Sequence, residues 1–206
     1  MEFNPATLDP NAVYRLLVGS IVPRPIAWIS TISADGVANL APYSFFTVAS
    51  CNPPVLSVTQ VNPRDRLSKD TLANLQATGA CVVNIVSAAL AEQMNATCAD
   101  YPSGISEFTA AGIARAPGAV VAAEGVADAP VRFECRLRQV IEISAEPSGG
   151  TMMLLDVVHI HVADHVLANG AIDPQLLDAV GKMGGNGYAH TRERFDLVRP
   201  VYRRSE

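Results

Sequence analysis

The sequence predicts a mainly β chain with inserted helices, folded as an antiparallel barrel in a single domain. Runs of β-branched and aromatic residues follow one another closely, joined by Gly, Pro and Asn turns. Helical patterns interrupt them irregularly, without the one-helix-per-strand alternation of a doubly wound parallel sheet. The chain of 206 residues is 49% hydrophobic and 17% charged, enough to bury one core across residues 1–206. Closure removes exposed strand edges, so a closed or nearly closed barrel is expected, with a β-sandwich as the alternative.

Asp9 as N-cap and Pro10 at the first helical position start a helix running through Asn11–Val18. Gly19 and the pair Pro23, Pro25 end it. Ile26–Ile32 is a strand, and Ala34-Asp35-Gly36 turns into a second strand from Val37, because Asp-Gly between β-type runs marks a hairpin. Ser44–Ser50 and Val55–Thr59 continue the strands across Asn52-Pro53-Pro54. The Leu- and Ala-rich stretch Asp70–Ala77 is helical and stops at Gly79. Ala80–Val86 is the most β-like run. Ala88–Cys98 and the shorter Ser106–Ala111 are helices, the second within a loop-rich excursion from Tyr101 to Ala119. Val131–Ala145 and Thr151–Val162 are long strands joined at Pro147-Ser148-Gly149-Gly150. Leu176–Val180 forms a helical turn before a glycine-rich tail.

A net charge of −5, with no basic run, lacks the electrostatic footprint of a nucleic-acid binder. The acidic, proline-broken start Met1–Pro5 does not resemble an export signal. The longest uncharged stretches, 36–63 and 71–91, are interrupted by Pro, Asn, Gln and Gly, so no membrane span is expected. Cys51, Cys81, Cys98 and Cys135 stand far apart, three of them in apolar surroundings, which suggests buried thiols in a reducing cytoplasm. The low charge implies apolar surface that a partner subunit covers.

His159 and His161 alternate along a strand and share a face, opposite Val158, Ile160 and Val162. Two imidazoles so placed could chelate a metal as in a cupin; the plainer reading is a solvated outer face. No nucleophile elbow, Walker A loop, metalloprotease helix or dinucleotide fingerprint is present, so a borrowed cofactor carries the chemistry more readily than side chains do.

Three segments are unusual for plain core. In Pro23-Arg24-Pro25-Ile26-Ala27-Trp28-Ile29-Ser30-Thr31, small polar residues end an apolar strand. In Asn39-Leu40-Ala41-Pro42-Tyr43-Ser44-Phe45-Phe46, Pro42 withholds an amide while Ser44 can offer one, so the loop could line a planar heteroaromatic; a proline-bent barrel corner is the alternative. In Arg64–Thr71, clustered cations and hydroxyls meet a helix start, which suits a phosphate or simply a capped surface helix.

Taken together, R-P-I-A-W-I-S-T, N-L-A-P-Y-S-F-F, the following N-P-P, K-D-T and the late G-G-x-x-Y resemble the flavin reductase-like, FMN-binding split-barrel family, from about Val13 to Tyr188. The resemblance implies a six-stranded antiparallel split barrel forming a homodimer, with one FMN per subunit near the interface. It places Trp28, Ser30 and Thr31 along the flavin. Asn39, Ala41, Pro42, Tyr43, Ser44 and Phe45 would form the loop that meets the ring, and Lys69, Asp70 and Thr71 would hold the phosphate end. Tyr188, after Gly184-Gly185, would close over the pocket. Lys182 stands where relatives often carry Arg, which removes a bidentate phosphate contact there.

The implied activity is that of an NAD(P)H:flavin reductase, with NADH or NADPH passing hydride to flavin N5. Electrons then pass to a partner monooxygenase or a small acceptor. No catalytic side chain is implied. The alternatives are a non-enzymatic FMN electron-transfer protein of flavoredoxin type and the cupin-like metal protein on His159 and His161.

Overall fold

The computed structural model describes residues 1–63 and 69–202. Arg64–Ser68 of the expected anion-binding segment therefore lie outside the described residues. Helix α1 (Pro10–Ser20) starts as the sequence predicts, with the Asp9 carboxylate accepting from the Asn11 amide at 2.6 Å. Strands β1 (Ala27–Ile32) and β2 (Ala38–Tyr43) form the expected hairpin, in which Gly36 takes a left-handed φ of 84°. Strands β3 (Phe46–Cys51) and β4 (Pro54–Val61) pair antiparallel, followed by helix α2 (Asp70–Thr78), which Gly79 caps in the αL region. Strand β5 (Ala80–Ile85) leads to two short helices, α3 (Ala91–Ala96) and α4 (Glu107–Ala110). The expected Ala88–Cys98 helix is a 3-10 turn followed by α3, broken near Leu90. After the short ribbon β6 (Arg115–Ala116) and β7 (Gly125–Val126) come the long strands β8 (Val131–Glu142) and β9 (Gly150–Val162). The chain then forms β10 (Leu167–Ala168), β11 (Ala171–Ile172), α5 (Pro174–Leu177) and the hairpin β12 (Val180–Lys182) with β13 (Tyr188–His190).

The main sheet is antiparallel and seven-stranded in the order β2-β1-β5-β8-β9-β4-β3, one strand more than the family resemblance implies. Its two outermost strands, β2 and β3, are joined by Ser44 and Phe45 alone. Three Cα steps reach about 11 Å, whereas a flat sheet would separate those edges by about 29 Å. The sheet must therefore curl until its ends meet. That is a split barrel, and the sandwich alternative falls.

Both faces of β1 are covered. Ala27 and Ile29 point into the barrel with Val58, Val83, Met153 and Leu155, where Leu72 and Leu75 of α2 plug one end. Ile26 and Trp28 point outward into a second cluster with Leu40, Met94 and Phe108, beneath α3 and α4. This outer layer forms the floor of the site. Cys81 and Cys135 are buried opposite each other on β5 and β8, while Cys51 and Cys98 are exposed residues, the Cys98 sulfur being partly covered, so two thiols rather than the expected three are internal. His159 and His161 lie on an exposed stretch of β9, as expected, but the alternating Val158 and Ile160 are exposed as well. Among the described residues no three His, Cys, Asp or Glu side chains gather as a metal-holding group. No helix among the described residues is long and apolar enough to cross a membrane.

Candidate functional site

Strand β2 is paired with β1 on one side only, and its other edge lines a cleft. In an antiparallel pair, alternate residues turn both main-chain groups to the same side. The Leu40 amide donates to Glu107 Oε2 at 2.8 Å, so Leu40 faces away from β1. Pro42, two residues on, faces the same way and has no N–H to leave unpaired, which is why proline is tolerated at this edge.

At one end the cleft holds about 160 Å³ between Asn39, Ala41, Pro42 and Tyr43 on β2, Lys69–Thr71 at the start of α2, and Thr97–Tyr101 after α3. Lys69 is the N-cap residue of α2 and makes no side-chain cap bond, and the start of the helix stands at this end of the cleft. The Lys69 ammonium also lies 5.6 Å from the Tyr43 ring centroid. Asn39 links the two walls: its Oδ1 accepts from Thr71 Oγ1 at 3.4 Å, and its Nδ2 donates to both Glu107 carboxylate oxygens at 3.4 Å.

The cleft continues past Pro42, Tyr43 and Cys98 to a second hollow bounded by Ile26, Ser44, Met94, Lys182 and Tyr188. Here the β12–β13 hairpin closes the site. Tyr188 Oη donates to Asn95 Oδ1 at 3.1 Å, and the Lys182 ammonium sits 4.3 Å from the Tyr188 ring centroid. Lys182 also donates to the carbonyls of Gly185 and Gly187, so it ties the glycine turn together.

Burial pushes the Cys98 thiol up, although Lys182 and Lys69 pull it the other way. Burial and the same thiol raise the Tyr188 phenol. Burial and the Arg24 charge lower the Lys182 ammonium. The Glu107 carboxyl is raised chiefly by burial, with Asp70 adding and the Leu40 amide opposing.

Nine of the thirteen site residues expected from the sequence line this continuous cleft: Asn39, Ala41, Pro42, Tyr43, Ser44, Lys69, Asp70, Thr71 and Tyr188. Trp28, Ser30 and Thr31 do not. All three side chains are buried, because β1 has a packed layer on each face. Trp28 Nε1 donates to Thr97 Oγ1 at 3.0 Å, Ser30 Oγ donates to the Val82 carbonyl, and Thr31 Oγ1 accepts from Asn74 Nδ2 at 3.0 Å. Trp28 therefore props the cleft floor at Thr97 and forms none of its wall. Phe45 turns into a separate apolar groove with Leu17, Val18, Ile21 and Phe46.

The sequence reading missed Glu107, Thr97–Tyr101 and the role of Arg24. Arg24 is buried, and its guanidinium donates to the carbonyls of Val18 and Ile21 at 2.7 and 3.1 Å, to Met183 O at 3.1 Å and to Ser44 Oγ at 3.2 Å. One planar fork thus joins the end of α1, the cleft edge and the tail hairpin. Its presence within R-P-I-A-W was visible in the sequence; its partners were not.

Residues 18–186 match the family model described as a flavin reductase like domain. An uncharacterized protein of Halalkalibacterium halodurans is 36% identical over 98% of this chain and 97% of its own. The structure of nitrilotriacetate monooxygenase component B from Bacillus cereus superposes with a TM-score of 0.91 at 33% identity, covering 96% of this chain and 98% of that one. The Pseudomonas fluorescens 2-nitrobenzoate 2-nitroreductase gives 0.88 at 28% identity, covering 100% and 99%.

Proposed function

This chain belongs to the flavin reductase like domain family, and we propose that it is an FMN-binding oxidoreductase of the NAD(P)H:flavin reductase type. The observation that carries the reading is one continuous slot along the free edge of β2, from the start of α2 to Tyr188. Its middle is walled by Ile26, Pro42 and Met94, a surface suited to a planar ring. The Ser44 hydroxyl and the outward-facing main chain of β2 offer polar partners at the ring edge. Lys69 and the α2 start suit a single phosphate, which favours a mononucleotide over FAD. These residues fit FMN.

Bound flavin supplies hydride acceptance from NADH or NADPH and onward electron delivery. The chain's part is to bind and orient. Asn39 and Thr71 hold the two walls together, the Tyr188 hairpin shields one end, and Arg24 keeps Ser44 in place. Reduced flavin would pass to a partner monooxygenase, a role suggested by the Bacillus cereus neighbour, which is a monooxygenase component. The nitroreductase neighbour supports a second reading, direct delivery to a small acceptor. The protein would act as a cytoplasmic homodimer. The exposed apolar residues Leu16, Leu17, Ile21 and Val22, next to the groove that takes Phe45, support that assembly.

The test is a flavin titration followed by steady-state oxidation of NADH and NADPH with and without added FMN. Saturable FMN binding with turnover supports the reductase. Tight binding without nicotinamide oxidation would indicate an electron carrier, and absence of flavin binding would defeat the reading.

A further inference from the structure

On the reading of the cleft as a flavin site, we propose that Glu107 is its positioning residue: a buried carboxylate, standing in for a neighbouring strand, holds the free edge of β2 at Leu40 and orients Asn39 against Thr71. An edge strand leaves its outward N–H groups without a ladder partner, and a buried one costs free energy comparable to a lost hydrogen bond. Here the partner is a side chain 67 residues away, only 9% exposed, with Oε2 at 2.8 Å from the Leu40 amide. The same carboxylate receives Asn39 Nδ2, which leaves Asn39 Oδ1 turned to Thr71 at the start of α2. Glu107 thus determines both the height of the β2 edge and its spacing from the helix that would take the phosphate.

Its charge also matters to an anionic ligand. Tyr43 on β2, Lys69 and Asp70 of α2, Cys98, Asp100 and Tyr101 across the cleft, and Arg115 stacked 5.1 Å from the adjoining Phe108 ring are, among the described residues, the titratable and charged groups around it. Glu107 and Lys69 line the same end of the slot. A phosphate bound there meets more repulsion once Glu107 ionises. Burial and Asp70 move that ionisation above the ordinary glutamate range, against the pull of the Leu40 amide.

The experiment compares wild type, Glu107→Ala and Glu107→Gln by fluorescence titration with FMN and with riboflavin, which lacks the phosphate, across roughly pH 5–8. Thermal unfolding is followed in parallel. Glu107→Ala should lose about tenfold or more in affinity for both flavins, the range of a lost hydrogen bond to a charged group. Glu107→Gln keeps an acceptor for Leu40 and should restore most riboflavin affinity. Free FMN titrates identically whichever variant it meets, so their comparison isolates the bound-state coupling of carboxylate and phosphate: the wild-type FMN-to-riboflavin ratio should fall with rising pH relative to that of Gln. A folded Ala variant with wild-type affinity overturns the proposal. If Ala does not fold, the Gln variant decides: an unchanged pH profile overturns it. Wild type that binds neither flavin refutes the flavin reading itself, a distinct result.

Discussion

Arg24 Nε donates to Ser44 Oγ at 3.2 Å, while the rest of the guanidinium is consumed by three main-chain carbonyls. The α1 terminus, the cleft edge and the tail hairpin therefore share one planar group. A lysine cannot reproduce that fork. Arg24→Lys should destabilise the fold by about 1–3 kcal/mol, because buried carbonyls lose their donors. It should also weaken flavin binding by loosening Ser44. Urea unfolding and flavin titration of the same preparation check both effects, and unchanged affinity would separate Arg24 from the site.

Lys69 tests the phosphate end. Lys69→Ala should weaken FMN binding by about 1–3 kcal/mol and leave riboflavin binding nearly unchanged, since only the charge-assisted bond is lost. The side chain is half-buried at a helix start and no part of either core cluster, so thermal stability should change little, by no more than its contact with the Tyr43 ring contributes. An equal loss for the two flavins would move the phosphate elsewhere.

Glu134 anchors the far side of the barrel. Its carboxylate accepts from the amides of Ala119, Val120 and Val121 at 2.7, 2.7 and 3.0 Å, and His159 Nδ1 lies 3.4 Å away. Burial pushes this carboxyl up, but the three amides and His159 together outweigh it, and the net shift is downward. A carboxyl depressed in the folded state contributes stability above its unfolded pKa and loses it as pH falls toward the folded value. Wild type should therefore lose stability on acidification below the ordinary glutamate range. Glu134→Gln should cost about 1–3 kcal/mol at neutral pH and flatten that limb. Replacing His159 and His161 together by Ala should leave flavin content and turnover intact, whereas loss of a stoichiometric metal in that variant would revive the cupin reading.

Local chemistry was legible in the sequence where it acts within a few residues. Asp9-Pro10, Asp35-Gly36 and Gly79 each announced a helix start, a hairpin or a helix stop that the fold contains. Pro42 marked its segment as a candidate ligand loop, but that it sits in a strand whose other edge is unpaired emerges only from the fold. Trp28, Ser30 and Thr31 could not be placed by pattern: alternation assigns faces, but both faces of β1 are covered, and Ile26 just before the strand reaches the cleft while these three do not. Glu107 looked like an ordinary acid in the first turn of a short helix. Its meaning depends on Leu40, and only the folded chain brings the two together.

The last prediction concerns assembly. Leu17 and Ile21 are 50% and 60% exposed on the outer side of α1, and with Phe45, Phe46, Pro23 and Pro25 they line an apolar groove. Phe45 belongs to the two-residue connection that closes the barrel, and Ser44 beside it lines both this groove and the proposed flavin slot. A two-fold contact uses the same patch on each subunit, so burying this groove against a second copy would set two flavin sites symmetrically beside the interface. Leu17→Asp places a charge in that patch without touching the barrel interior. It should convert a dimer to a monomer in light scattering at dilute concentration, with an unchanged circular dichroism spectrum. Flavin affinity should fall in the monomer, because the segment from Ser44 to Phe46 loses its cover on the groove side. A wild-type monomer with full FMN affinity would remove the dimer from the mechanism. A Leu17→Asp dimer would move the interface to another face, such as the β9 surface that exposes Val158 and Ile160.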